Sequence, residues 1–369
     1  VTSPAQEGSL SGLVIADFGR VLAGPYATML LADLGAEVVK VERPGTGDDT
    51  RQWGPPFTED GEATYFLSVN RNKSSRVLDL RTDEGRSAAT DLIAEADVVV
   101  ENFLPGAMDR LGLGYDHARA VNDDVIYCSI TGFGRDSTLP GYDLLVQGVS
   151  GLMSVTGPSP DEPTKVGVAL IDIITGLHAA VGILAALRHR DRTGEGQRVE
   201  VNLLSSALSA LANQASAHLL TGVVPQPTGN AHPSIVPYAV YATADRPLVL
   251  AVGNDRQFGS LATVLGDPGL ASDERFGTNA DRVAHADELR ELLEAHLTQH
   301  AADVWSERLA AAGVPAGPVN ALDEAFAFAE QLGLQPVTDV EGVRQVSHPI
   351  RLSETPPTYR TRPPRLPEA

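Results

Sequence analysis

The spacing of apolar positions changes period repeatedly over the first 135 residues. LVIADFG (13–19) is a continuous apolar run of strand length, PYATMLLADLG (25–35) spaces its apolar residues as a helix does and stops at Gly35, and AEVVKVE (36–42) is a second strand-like run. The pattern continues with EGRSAATDLIAEA (84–96) as helix, DVVVENF (97–103) as strand, LGYDHARAVN (113–122) as helix and DVIYCSITGFG (124–134) as strand. Strands alternating with helices predict an α/β fold with a parallel sheet and helices on both faces. Ligands of such sheets lie beyond the carboxyl ends of the strands, so segments 18–25, 42–49, 102–110 and 131–142 are expected on one rim.

Further along, a long helix is predicted over 174–190 and an Ala/Leu-rich helix over 203–219, with the strand RVEVNLL between them. TGVVPQPTGNAHPSIVP (221–237) then reads as a Pro/Gly-rich linker. Beyond it, PYAVYATADRPLVLAVGND has the pattern of two antiparallel strands, and acidic amphipathic helices occupy roughly 281–312. At 369 residues the chain is long for one core. The expected division is 1–200 as the N-terminal part of a large domain, 201–224 as a helical linker, 225–325 as a small α+β domain, and 326–369 as a linker returning to the large domain.

One carboxylate interrupts the most apolar stretch, VGVALIDIITGLHAAVGILAAL (166–187). If VGVAL is a strand, Asp172 is the N-cap of the helix that follows. A carboxylate there is kept ionised by the helix dipole, and an ionised carboxylate in a dry pocket is also a nucleophile for an activated acyl group. The two readings are compatible. Gly167, Ala169, Thr175 and Gly176 are small residues that leave room for a substrate.

Charge and composition narrow the partners. A formal charge of −20 is wrong for nucleic acid, and 43% apolar with 21% charged residues is ordinary for a globular protein. No run of about 18 uncharged apolar residues is present, so no membrane span is expected. VTSPAQEGSL has neither the basic nor the apolar region of a secretory signal, and the single cysteine, Cys128, excludes an intramolecular disulfide, so the expected location is cytoplasmic. An anionic ligand would need a local island of positive charge. Arg20, Lys40, Arg43, Arg71, Lys73, Arg76 and Arg110 lie in segments ending near the predicted rim. There is no phosphate-binding loop, GTGDDT lacks the glycines and helix of a dinucleotide fingerprint, and GVSGL is not a nucleophile elbow. No metal site is expected: His296 and His300 are one helical turn apart without a third ligand, and His178 reads as a core or interface histidine.

These residues resemble the family III CoA-transferases, the group that holds formyl-CoA transferase, the carnitine CoA-transferases and 2-methylacyl-CoA racemase. The resemblance runs in order through LSGLVIADFGRVLAGPYATMLLADLGAEVVKVERPGTGDDTR, NRNKSSRVLDL, ADVVVENFLPGAMDRLGLGY, SITGFG, GYDLLVQGVSGLM, GVALIDIITG, TGEGQRVEV, GNAHPSIVPY and GVPAGPV. It implies that Asp172 is the nucleophile that attacks an acyl-CoA thioester, giving a mixed anhydride and then an aspartyl-CoA thioester. It implies CoA contacts at Val21, Arg43, Asn102, Phe103 and Arg110, with Lys73 and Arg76 as further members. It also implies a Rossmann-like large domain joined by long linkers to a small one, two interlocked subunits, and an active site between the domains. The expected partners are an acyl-CoA, a carboxylic acid and a second copy of the chain, with no permanently bound cofactor.

Departures from the family pattern mark the substrate-binding candidates. Leu22 stands where formyl-CoA transferase has glutamine, which argues against formyl and oxalate. Tyr142 stands where the racemases have a histidine, which removes one of the two proton-transfer groups. GNAHPS replaces a glycine-rich lid and makes His232 a candidate substrate contact. Arg20 and His232 are candidates for holding a second carboxylate, which points to succinyl-CoA or another dicarboxylic donor. A 2-methylacyl-CoA racemase and a CoA-binding protein without turnover are the alternatives.

Overall fold

The computed structural model describes residues 8–367, so VTSPAQE, most of the stretch read for a leader, lies outside the described residues. The chain forms two compact units. The first begins with β1 (Val14–Asp17), α1 (Ala23–Asp33), β2 (Glu37–Glu42), α2 (Thr64–Leu67), β3 (Lys73–Val77), α3 (Asp83–Glu95) and β4 (Val98–Glu101). It continues with α4 (Ala107–Arg110), α5 (Tyr115–Val121), β5 (Ile126–Thr131), α6 (Asp143–Val149), α7 (Leu170–Thr193), β6 (Arg198–Asn202), α8 (Leu203–Ala210) and α9 (Ala212–Thr221). The second unit holds β7 (Tyr238–Tyr241), β8 (Leu248–Ala251), α10 (Asp255–Leu265), α11 (Asn279–Ala284), α12 (Ala286–Leu297), α13 (Ala302–Ala311), β9 (Ala316–Pro318) and α14 (Leu322–Gln331). The hairpin β10 (Val337–Val340) and β11 (Val343–Val346) belongs to the first unit again.

Six parallel strands form one sheet in the order β3-β2-β1-β4-β5-β6. Side chains on a strand alternate between faces, so a continuous apolar run fits only a sheet covered on both sides. Ile15, Val98 and Val100 enter the core shared with α1, α7 and α8, while Ala16 and Val99 enter the core shared with α3 and α5. Strand order reverses between β1 and β4, and the crevice at their carboxyl ends is the place where such sheets bind ligands. The second unit packs its three-stranded antiparallel sheet against α10, α12 and α13 through Leu248, Leu250, Phe258, Leu293 and Trp305.

The boundaries differ from those read in the sequence. Segment 201–224 is not a linker but part of the first unit, with Leu203 and Ala207 buried in its core and Asn202 capping α8 through the Ser205 amide at 2.8 Å. Ser154–Thr164 belongs to the second unit, where Gly157 accepts a hydrogen bond from the Gly229 amide at 3.0 Å. The return to the first unit begins at Gln335, after α14 has ended. There Asn72 Nδ2 donates to Thr358 O at 2.7 Å, Asp33 O accepts from the Thr358 amide at 2.8 Å, and Arg71 Nη1 donates to Val346 O at 2.9 Å.

The region of Asp172 also departs from expectation. VGVAL is not a strand, α7 begins at Leu170, and its N-cap is Ala169, which offers no side-chain cap. Asp172 is the third helical residue. Gly176 does not leave room for a ligand: a Cβ built there would lie 2.7 Å from the Ala23 carbonyl oxygen, so this glycine is what lets α7 approach α1. By length and composition α7 is apolar enough to cross a membrane, and less than half of that stretch is buried within the described residues. Its inner face, with Ile171, Ala179, Ile183 and Leu187, lies in the core, while Leu177, Val181 and Leu184 are exposed. Because its helix-propensity gain of about 1 kcal/mol is smaller than the usual cost of overpacking, Gly176→Ala is expected to destabilise the protein by about 1–2 kcal/mol. Urea denaturation measures this, and an unchanged midpoint would refute the close approach.

Candidate active site

A cavity of about 290 Å³ opens at the carboxyl ends of β1 and β4. Arg20, Val21 and Leu22 follow β1 on one wall, and Asn102 and Phe103 follow β4 on another. Tyr142 and Asp172 close it with segments from the β5 loop. Of the residues named from the sequence, these seven are brought together. Asp49 joins them, so Arg20 is the single cation among the described lining residues.

Asp143, beside Tyr142, determines how Asp172 is presented. It is the first residue of α6, and its Oδ1 accepts the amides of Ile171 at 2.8 Å and Asp172 at 3.2 Å. A carboxylate from a neighbouring helix thus satisfies two free N–H groups in the first turn of α7. Gln147, one turn along α6, donates to Asp143 Oδ2 at 2.6 Å and accepts the Val166 amide at 2.9 Å. The entry into α7 is therefore held by α6.

The consequence for Asp172 is the reverse of that expected from a cap. Burial, and then the negative charge of Asp143, push its pKa up to about 7. Tyr65 is pushed up to about 12, first by burial and then by the Asp172, Asp143 and Asp48 carboxylates, so its phenol stays protonated. Tyr65 packs with Val21, Leu22, Tyr26, Ala169 and Ile173 around this end of the cavity, and the Trp53 ring meets it edge-on at 5.4 Å between centroids.

The loop after β1 is held by side chains at every backbone position from 19 to 21. Asp17 Oδ1 accepts the Gly19 amide at 2.8 Å, and Lys40 Nζ donates to Gly19 O at 2.7 Å. Asn102 Oδ1 accepts the Arg20 amide at 2.8 Å, and its Nδ2 donates to Arg20 O at 2.7 Å. Asp48 receives the Val21 amide on both oxygens at 3.3 Å. Glu101, pushed up to about 7 by burial, accepts the Phe103 amide at 2.8 Å.

Other residues named from the sequence lie elsewhere. Lys73 is fully enclosed and donates to Asp17, Pro25 O and Asn70 at 3.0, 2.9 and 3.0 Å, so its ammonium has no free direction for a ligand. Burial lowers its pKa to about 8 despite the neighbouring Asp17. Arg76 and Arg110 are exposed, on β3 and α4, outside the cavity wall. Arg43 is exposed at the end of β2, where it pairs with Asp49 and donates to Thr46 Oγ1 at 2.6 Å. Arg20 stacks on the Phe103 ring at 4.5 Å and lies 3.9 Å from Asp49. His232 belongs to the second unit, where its ring packs on Tyr238 and its Nδ1 accepts the Ser234 amide at 3.2 Å. His178 pairs with Ser206 Oγ at 3.0 Å. Among the described residues no cluster of three or more His, Cys, Asp or Glu could hold a metal ion.

Asp143, Asp48 and Tyr65 were missed. Asp143 lies inside GYDLLVQ, directly after Tyr142, and Asp48 inside GTGDDT, which is expected on the rim and belongs to the family pattern but gives no sign that Asp48 holds a backbone amide. Their partners are distant in sequence, and no local pattern reports that. Nothing in the sequence distinguished Tyr65 from any other aromatic.

A doubly wound sheet with a largely buried carboxylate of raised pKa in its switch-point crevice calls for comparison with known enzymes, and similarity to known proteins names the class. The chain belongs to CoA-transferase family III, which it matches over residues 10–368. It is similar to the succinate–glutarate CoA-transferase of Agrobacterium fabrum, at 45% identity covering 99% of this chain and 94% of that one. The succinyl-CoA:glutarate CoA-transferase of Mus musculus is 44% identical over 88% of this chain and 74% of its own length. Among solved structures, a CAIB/BAIF family protein from Brucella suis superposes with a TM-score of 0.90 at 45% identity, covering 98% of this chain and 97% of that one. The protein is therefore an enzyme, a CoA-transferase, and CoA thioesters are the substrates of such enzymes.

The raised pKa of Asp172 carries a stability signature. Between about pH 4 and pH 7 the unfolded chain has released this proton and the folded chain keeps it, so the site costs stability as pH rises, fully so above pH 7. Asp172→Asn is expected to melt well above the wild type at pH 8 and close to it at pH 4. A melting difference that does not change with pH would contradict the shift.

Proposed function

We propose that the protein is an acyl-CoA:carboxylate CoA-transferase that takes CoA from succinyl-CoA and gives it to a second dicarboxylic acid through covalent intermediates on Asp172. The observation that carries this reading is Asp172 itself: a largely buried carboxylate, ionised only near neutrality, on the wall of the switch-point cavity of a family III CoA-transferase. A partly desolvated carboxylate with a raised pKa is a stronger nucleophile than one in water.

Ionised Asp172 attacks the thioester carbonyl carbon, the C–S bond breaks, and CoA thiolate leaves a mixed anhydride between Asp172 and the acyl group. The thiolate then attacks the aspartyl carbonyl, which releases the donor acid as a carboxylate and leaves an aspartyl-CoA thioester. The acceptor carboxylate attacks that thioester and restores an anhydride and a thiolate. Attack of the thiolate on the acceptor's acyl carbon frees the new acyl-CoA and Asp172. Each step exchanges one activated acyl bond for another, so the energy of the thioester is conserved. Asp143 fixes the backbone at Asp172, and burial, with the Asp143 charge added to it, keeps the Asp172 pKa high. In this reading Val21, Asn102 and Phe103 hold the pantetheine end of CoA, and the exposed guanidinium groups of Arg43 and Arg110 meet its anionic end.

The acids in the names of two relatives, succinate and glutarate, are dicarboxylates, and Arg20 is the cation positioned for a distal carboxylate. Leu22, buried at the head of α1, supplies an apolar wall suited to a methylene chain and unsuited to oxalate. Self-association belongs to the same reading, supported by the apolar exposed residues Leu177, Val181 and Leu184 of α7 and Leu219 and Leu220 of α9.

With succinyl-CoA and a panel of acids, mass spectrometry is expected to reveal glutaryl-CoA and, after hydroxylamine trapping, modification at Asp172. Asp172→Ala is expected to lower transfer by at least about 10³-fold. Arg20→Gln is expected to raise KM for dicarboxylates about tenfold or more with less effect on a monocarboxylate. Transfer undiminished in Asp172→Ala would overturn the mechanism, and α-proton exchange in D₂O without any acceptor acid would replace it with racemisation.

A further inference from the structure

Beneath the active-site loop lies a group of four ionised side chains that the transfer chemistry does not use. Asp17, Lys40, Asp48 and Lys73 are each almost wholly enclosed. Lys40 Nζ meets Asp48 Oδ2 at 2.8 Å, and Lys73 Nζ meets Asp17 Oδ2 at 3.0 Å. Burial alone would neutralise these groups, but for Asp48 the attraction of Lys40 and the hydrogen bonds from Thr50 outweigh it and hold the pKa below its usual value. For Lys40, Asp48 and Asp17 likewise outweigh burial and raise it. Removing one partner of such a pair leaves a buried charge uncompensated.

The pair ends on one abnormal residue. Val21 has φ of +67°, a left-handed conformation that is rare for any residue with a side chain and worst for a β-branched one. Strain of this kind persists only where the surroundings overdetermine it. Here Asp48 holds the Val21 amide with both oxygens, Lys40 holds the carbonyl of Gly19, and Val21 stands in the wall of the cavity that contains Asp172. Asp48 is itself fixed by Thr50 Oγ1 at 2.8 Å and by its own amide donating to Glu42 at 2.9 Å, and Glu42 takes a two-pronged ion pair from Arg51 at 2.7 Å on each oxygen. This accounts for GTGDDTR, the segment that no ligand-binding motif explained.

We propose that Lys40 and Asp48 are positioning residues of the transfer reaction: the buried ion pair keeps Val21 in its strained conformation, and that conformation sets the cavity wall against which the thioester meets Asp172. The role in catalysis rests on the proposed transfer activity, while the clamp itself does not.

The test is a double-mutant cycle between Asp48→Asn and Val21→Gly, read by kcat, KM and melting temperature on the full chain. Glycine adopts φ of +67° without strain whereas alanine does not, so Val21→Gly is expected to melt about 2–4 °C above Val21→Ala, both variants having lost the valine packing, and to lower kcat at least tenfold from the wild type. Asp48→Asn is expected to lower kcat by a similar factor with a lower melting temperature and faster amide hydrogen exchange at residues 19–22, while exchange in β5 stays slow. In the double variant the two kcat losses are expected not to multiply. A Val21→Gly variant that melts at or below Val21→Ala overturns the strain, and kcat losses that multiply in full overturn the coupling. If Asp48→Asn does not fold, the melting difference between Val21→Gly and Val21→Ala, together with the kcat of Val21→Gly, decides alone. If the wild type moves no CoA, the transfer reading falls, while the melting shift and the exchange at 19–22 still decide the clamp.

Discussion

A single carboxylate oxygen of Asp143 receives the two backbone amides that open α7, the longest of the described helices. Helix α7 has no side-chain cap of its own, and its first turn is buried at Ile171 beside the active cavity. Unsatisfied amides there would cost about 1–3 kcal/mol each. Supplying the acceptor from α6 removes that cost, but it also brings a negative charge close to Asp172. The same contact that lets the helix begin therefore adds to burial in raising the pKa of the residue it carries. Gly176, one turn on, fixes how closely this helix lies against α1, so the head of α1 with Leu22 and the head of α7 with Asp172 face one cavity.

The sheet was legible from the sequence because its information is local. Runs such as DVVVENF and DVIYCSITGFG carry both strand length and two-sided burial in their composition, and the intervening helices carry their own period. The rim could be read for the same reason, since strand ends follow from strand assignments. What escaped was long-range. VGVAL has strand-like composition, yet residues 166–169 are irregular because α6 rather than a sheet neighbour takes up their polar groups. The chain boundaries escaped likewise: 201–224 looks like a linker only if one ignores that Leu203 and Ala207 have a core to enter.

Charges were read least well. In a strongly acidic chain every Arg or Lys near the rim looked like a ligand contact, and position along the sequence does not separate a cation facing a ligand from one balancing a buried acid. Lys40 and Lys73 prove to be of the second kind, as does Arg71, bound to Asp33 in the interior at 2.7 Å. Arg20, Arg43, Arg76 and Arg110 keep an exposed guanidinium or an exposed partner. The contrast follows from desolvation: Lys40 and Lys73 lie inside the sheet and need a buried acid, whereas Arg76 lies on the exposed face of the edge strand β3 and Arg20 and Arg43 lie past strand ends.

The strap that follows Gln335 bears on how the molecule is made. Asn72, Arg71 and Asp33, all within the first fifth of the chain, take their hydrogen-bond partners from residues between Val346 and Thr361. Vectorial synthesis therefore leaves the interior of the first unit open until residues 346–361 have been made. At about 5–20 residues per second, the interval between the emergence of α9 and that of the strap is on the order of ten seconds. During that time the second unit, whose main segment is continuous from Pro225 to Leu334, can fold around its own core while its host waits to be closed.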